Sequence, residues 1–200
     1  MSLSRALQSC PSRLAPAAAG LMLGLMLLRA PAVHADEPGG FVIRTAYTEL
    51  QNGVYYLNAD VDLSLSDAAV NALENGLPLT VELQIQIIRH RRLMWDKTVA
   101  ELAQRYQISF HALTRRFIIT NLNSGDEQSF ASYRDAITSL GQVSDLPVID
   151  AKLLDPEARY KIRMRAVLDV KDFPGPLQLI ASLFKGWDLT SAWYEWVLTS

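Results

Sequence analysis

Between Tyr106 and Asn121 the chain reads Tyr-Gln-Ile-Ser-Phe-His-Ala-Leu-Thr-Arg-Arg-Phe-Ile-Ile-Thr-Asn, and the first half of this stretch alternates with a period of two. Tyr106, Ile108, Phe110 and Ala112 fall on one side, and Gln107, Ser109 and His111 on the other. Successive side chains leave opposite faces of a pleated backbone, so this pattern in aromatic and β-branched residues specifies a strand with one dry face. A second run, Arg115 to Asn121, holds enough Phe and Ile to pair back beside it. The expectation is a hairpin at the centre of a sheet.

The same period recurs along the chain. Leu79, Val81, Leu83, Ile85 and Ile87 alternate with Thr80, Glu82, Gln84 and Gln86, which predicts a strand over Leu79–Ile88. Tyr160–Val170 alternates apolar residues with Lys161, Arg163 and Arg165 in the same way. Phe41–Tyr47 and Val54–Leu63 flank Gln51-Asn52-Gly53, and Asn-Gly between two such runs signals a hairpin. In the second of these strands Tyr55, Leu57, Ala59, Val61 and Leu63 form the core face. Pro147 confines Val143–Ile149 to an edge strand or a loop. Trp187–Leu198 is expected as a last strand holding three of the four tryptophans. Lys97–Arg105 fits a helical turn and a strand equally well.

Helices are fewer and shorter. Ser66–Asn75 has a capping serine, an acid in its first turn and Gly76 behind it, with Ala69, Val70 and Leu73 as its buried stripe. Phe130, Tyr133, Ile137 and Leu140 predict a helix over Glu127–Leu140. Phe173-Pro174-Gly175-Pro176 reads as a rigid turn feeding a short helix, Leu177–Phe184. The fold class is therefore α+β, mostly β: a single antiparallel-rich sheet or a sandwich with two to three short helices.

The first 35 residues are expected to lie outside that fold. Arg5 and Arg13 precede an uncharged stretch, Leu14–Leu28, and Val33-His34-Ala35 offers small residues for cleavage before Asp36. This is the pattern of a secretory signal, and the apolar stretch falls short of the ~20 residues a membrane-spanning helix needs. The expected organisation is a cleaved signal peptide, 1–35, and a single globular domain, 36–200. Removing Arg5, Arg13 and Arg29 from the 19 basic residues leaves 16 against 21 acidic ones, a net charge of −5. Cys10 leaves as well, so the mature domain contains no cysteine. Disulfides and thiolate chemistry are thereby excluded, and a core of this length must stabilise the fold alone. The acidic balance argues against a nucleic-acid partner.

Residues suited to chemistry are sparse. His90 and His111 are the histidines left after the signal and sit on different strands, each on a polar face. Two such ligands make a poor metal site. Asp60, Asp62, Ser64 and Ser66 share one face of a strand, which reads as a wet face, since no glycine shapes a calcium loop. The serines have neither a nucleophile elbow nor a lysine partner in a suitable context, and no glycine-rich phosphate loop is present. No catalytic residue, cofactor or metal is expected. Two features stand out instead. Arg89, Arg91 and Arg92, with Arg115 and Arg116, form basic runs in an acidic protein, suited to anionic lipid headgroups or an acidic partner. The same charges also guard long apolar strands from edge pairing. Trp193, Tyr194 and Trp196 suit an interface, an apolar pocket or the core, with Trp193 on the face opposite to the other two.

Several of these segments together resemble a known family. The segment Trp95-Asp96-Lys97, the run from Tyr106 through His111-Ala112-Leu113-Thr114-Arg115-Arg116-Phe117, the turn Pro174-x-Pro176-Leu177 and the tail Trp187-x-Leu189-x-Ser191-x-Trp193 are similar to the proteobacterial exported family catalogued as domain of unknown function 4390. The resemblance covers essentially the whole mature chain. It implies an exported protein of a Gram-negative bacterium, often encoded beside a membrane sensor histidine kinase of the nitrogen-regulation type. It carries over no catalytic residue.

The expected function is a non-enzymatic periplasmic interaction or accessory module with a protein partner at the inner membrane, such as a sensor kinase. It would have no transmembrane span after signal cleavage. Its candidate contacts are Arg89, Arg91, Arg92, Arg115, Arg116, Trp193, Tyr194 and Trp196. The alternatives are a carrier of a small apolar ligand or lipid, held near the tryptophans, and an enzyme of unknown type.

Overall fold

Asn52 and Gly53 have φ of +52° and +82°, the paired left-handed conformation that closes a two-residue hairpin in step with strand twist. They join β1 (Gly40–Gln51) to β2 (Val54–Ser64) in one antiparallel ladder from Gly40↔Ser64 to Gln51↔Val54. The computed structural model describes residues 39–92, 94–170 and 185–199. The signal segment, the Phe173–Pro176 turn and the Leu177–Phe184 helix expected from the sequence lie outside these residues.

The chain continues through α1 (Asp67–Glu74), β3 (Leu79–Arg89), β4 (Lys97–His111), β5 (Arg116–Asn121) and β6 (Glu127–Phe130). Then follow α2 (Tyr133–Gly141), β7 (Gln142–Asp150), β8 (Tyr160–Asp169) and β9 (Tyr194–Val197). Two sheets result, one of three strands in the order β1-β2-β7 and one of six in the order β6-β5-β4-β3-β8-β9. Every ladder is antiparallel. The inner faces share one core: Phe41, Leu57 and Val61 from the small sheet pack with Leu83, Ile108, Ile162 and Met164 from the large one. This is the mostly-β, α+β class that the alternation predicts, in its sandwich form. Among the described residues no helix is long and apolar enough to cross a membrane.

The alternating strands fall as their patterns require. Leu79, Val81, Leu83, Ile85 and Ile87 are all buried, as are Ile162, Met164, Ala166 and Leu168 on β8. Lys97–Arg105, open to two readings, is strand: it extends β4 to 15 residues and pairs with β3 along its whole length. The expected hairpin exists as β4–β5, but the centre of the sheet is β4 with β3, and β5 lies one place outward. Ile108 is fully buried, while Phe110 is half-buried against Phe117, with ring centroids 5.0 Å apart. Pro147 sits in β7, an edge strand of the small sheet.

Two element boundaries also differ from expectation. The helix predicted over Glu127–Leu140 begins only at Tyr133, and Glu127–Phe130 is instead strand β6, zipped to β5 from Thr120↔Glu127 to Phe117↔Phe130. Ser132 sets the boundary. Its hydroxyl accepts from Asp135 N–H at 3.1 Å and donates to Asp135 Oδ2 at 2.8 Å, an N-cap that starts the helix there. Gly141 is the last residue of the helix rather than its follower, and a side chain there would strike the Val61 carbonyl. The helix therefore lies directly on β2.

The second difference is the last strand, expected over Trp187–Leu198. Only Tyr194–Val197 is β9, and of the tryptophans only Trp196 is within it. Trp187 ends a short 3-10 turn, and a single bridge, Thr190 to Val167, precedes the strand. Ser191 interrupts the ladder: its buried hydroxyl accepts from Ala166 N–H at 2.9 Å and donates to the Ala192 carbonyl at 3.0 Å. A side-chain hydroxyl has replaced a strand partner.

Candidate functional site

Antiparallel pairing dictates which candidates can meet. The β3–β4 ladder runs from Leu79↔Ile108 to Arg89↔Lys97, a length of about 33 Å at roughly 3.3 Å per residue. Arg89, Arg91 and Arg92 stand at one end of it, and Arg115 and Arg116 at the other. The two basic runs do not form one patch. The same separation keeps His90 and His111 apart, so they cannot share a ligand. His111 Nδ1 lies 3.0 Å from Thr114 Oγ1 in the β4–β5 turn. Arg116 donates to Ser129 Oγ and to the Ser129 carbonyl, tying β5 to β6. Arg115 holds the turn with φ of +51°.

The aromatic tail is divided between two faces, as its alternation predicts. Tyr194 and Trp196 are half-buried against the core, 6.1 Å apart, and Trp196 Nε1 donates to Thr48 Oγ1 at 3.2 Å across to β1. Trp193 lies on the outer face, with the guanidinium carbons of Arg163 and Arg165 each 4.5 Å from its ring. Arg163 donates to Gln86 Oε1 and Arg165 to Gln84 Oε1, both at 2.7 Å. Gln86 in turn donates to Glu101, and Gln84 to Glu82. These arginines are matched by the ladder that carries them. Ser66, grouped with Asp60 and Asp62 by sequence, is instead a buried cap of α1, and Asp62 is paired with Arg44.

The end of the sheet at Arg89 is different. The connection from His90 to Asp96 and the turn before β8 enclose a cleft of about 820 Å³, walled by Arg89, His90, Arg91 and Arg92 on one side and Arg159 on the other, with Met94 and Glu157 in its lining. Arg89 Nη2 donates to Asp155 Oδ2 at 2.6 Å, and His90 N–H donates to the Arg159 carbonyl at 2.8 Å. These two bonds clip the walls together. Asp96 pins the connection itself: its Oδ1 accepts from Arg91 N–H and lies 3.0 Å from His90 Nδ1, and its Oδ2 lies 3.7 Å from Lys161 Nζ. Desolvation opposes ionisation of Asp96 and is outweighed by these bonds and by the His90 and Lys161 charges, which hold its carboxyl below the ordinary value. Among the described residues Arg91, Arg92 and Arg159 have no carboxylate partner. Trp95, beside the cleft, is 94% exposed and Met94 68%.

Sequence reasoning found the arginine run but not Arg159, which lies some seventy positions away and arrives only through the pairing of β8 with β3. Trp95 stood out only as part of the family resemblance. A second groove, about 340 Å³, runs beside the β7 edge, where Tyr106, Asn121 and Gln128 face Gln142 and Asp145. Burial pushes the Tyr106 hydroxyl above its ordinary pKa. Asp145 takes φ of +50°, with its N–H donating to Asn58 Oδ1. Among the described residues no three His, Cys, Asp or Glu side chains converge as metal ligands would.

A two-sheet antiparallel β-domain with a cationic cleft at one end is thus the class of protein that the structure defines. The chain belongs to the family described as domain of unknown function (DUF4390), which matches residues 39–197. No curated protein and no solved structure matches it.

Proposed function

We propose that this protein is an exported, non-catalytic interaction module that works in the periplasm and meets a protein partner at the inner membrane through the cationic cleft. The observation that carries this reading is the set of three arginines, Arg91, Arg92 and Arg159, gathered from two strands' ends with no carboxylate partner among the described residues. An acidic domain gains nothing in stability from concentrating unpaired cations, whereas an anionic surface would be drawn to them. Export is supported by the charge and apolar pattern of residues 1–35. The tryptophans support the carrier alternative less well, since Trp193 is engaged by two arginines and Trp196 by Thr48.

The test is crosslinking in intact cells with the wild-type chain and the Arg91→Glu, Arg92→Glu double variant. A specific membrane protein captured by the first and lost from the second is the expected result. Equal capture by both chains, or no specific capture by either, would remove the cleft from the account.

A further inference from the structure

The candidates for an additional site differ in what they leave unmatched. The groove beside β7 brings Asp126 and Asp145 together with neutral amides and carries no second sign of a ligand. The outer face of β8 is internally paired through Gln84, Gln86 and Trp193. Among the described residues the cleft end gathers three cations without carboxylate partners beside the exposed Met94 and Trp95, whereas the β4–β5 turn offers a smaller set, Arg115 and the exposed Leu113.

We infer that the rim of this cleft also seats on anionic phospholipid headgroups, which would set the cleft against the membrane in which its partner lies; the inference rests on the docking role proposed above. Arg91, Arg92 and Arg159 supply the charge. Met94 and Trp95 project from the same connection as Arg91 and Arg92, 68% and 94% exposed. Leu153, 77% exposed, lies two residues before Asp155, which is paired to Arg89. Exposed large apolar groups of this kind mark contact surfaces. Tryptophan beside arginine matches the headgroup boundary, where an amphipathic ring sits at the level of the phosphates. A cluster of basic residues next to it reads as recognition of anionic lipid. An acidic protein surface in the cleft accounts for the arginines, and a lipid surface accounts for the exposed Trp95 beside them as well. Asp96 fits the same picture: by bonding His90 and the Arg91 amide it holds the connection in shape, so the apolar side chains are presented ready-made.

The experiment is co-sedimentation of the protein, as recovered from exporting cells, with vesicles of phosphatidylcholine alone and of phosphatidylcholine and phosphatidylglycerol in equal parts. Binding to the anionic vesicles is expected, weakening as salt is raised. It should fall at least roughly thirtyfold in the Arg91→Glu, Arg92→Glu variant, since the loss of two cations at an anionic surface alone predicts that much and the two new carboxylates add repulsion. Trp95→Ser should weaken it at every salt concentration. Thermal melts keep the comparison honest about folding, and Arg159→Glu repeats the charge test from the opposite wall. Equal binding to both vesicle types, or binding unchanged in both charge variants, overturns the inference. Absent vesicle binding together with a crosslinked protein partner lost in the double variant also overturns it, and leaves the docking role standing with an acidic protein surface as its object. If both assays fail, both readings fall.

Discussion

Two groups of arginines sit on the large sheet, and they are satisfied in opposite ways. Arg163 and Arg165 rise from the middle of β8, where the register places Gln86 and Gln84 of β3 directly opposite. Each donates to its glutamine, and both stack on Trp193. Arg91 and Arg92 stand beyond the last rung of β3, where no neighbouring strand continues to offer a partner. Cations within a ladder are matched by residues the register supplies, and cations past its end are free to face something else. The first group explains how the outer face is held together. The second is the group on which the proposed docking rests.

The comparison can be broken at several points. The largest effect is expected beneath the paired group: Met164, fully buried on the inner side of β8, should cost about 2–5 kcal/mol on change to alanine, read from denaturant unfolding. A loss under about 1 kcal/mol would mean that β8 does not face the core. Next comes Trp193→Ala, for which two half-exposed cation–π contacts imply about 1–2 kcal/mol. In a cycle with Arg165→Ala the two losses should be less than additive, because they share one contact. Strict additivity would make the stacking incidental. Smaller still, the Arg91→Glu, Arg92→Glu variant should melt within about 0.5 kcal/mol of wild type, since neither side chain has a carboxylate to lose among the described residues. Marked destabilisation would show that these arginines are structural, like those on β8.

The smallest effect is a local one and depends on pH. Asp96 has its folded-state pKa lowered beneath the ordinary carboxylate value, so its ionised form is the one that the folded connection favours. Its contribution is present above that value and is lost as pH falls through the lower folded pKa. Protection of the Arg91 amide, taken relative to its intrinsic exchange rate at each pH, should therefore fall on acidification in this range, and in Asp96→Asn it should be low already at neutral pH. Exchange unaffected by both would mean that Asp96 does not pin the connection.

How far the sequence could be read follows from the range of each signal. The Asn52-Gly53 hairpin, the Ser66 cap, and β3 and β8 are local statements, each contained in about ten residues and enforced by burial of one face. Glu127–Phe130 misled because Phe130, Tyr133, Ile137 and Leu140 keep a helical spacing even though the first belongs to a strand. The decision lay with Phe117 across the ladder and with the Ser132 cap. Ser191 misled in the other direction, since a hydroxyl able to take the place of a strand partner looks like any polar residue in an alternating run. The candidate site was half legible. Arg89, Arg91 and Arg92 are a visible run, whereas the inclusion of Arg159 and the exclusion of Arg115 and Arg116 depend on strand order.

By itself, then, the sequence determined the period, the faces and the turns: which side chains are dry, where the chain reverses, and that an acidic, cysteine-free domain must rely on its core. These follow from local geometry and from burial of apolar surface, both written residue by residue. Only the tertiary structure decided which charges are matched. Neutralisation of a cation depends on what the register sets across from it, and register joins segments that are far apart in the chain. That is why Arg163 and Arg165 are fastened to the ladder while Arg91, Arg92 and Arg159 converge on an open cleft.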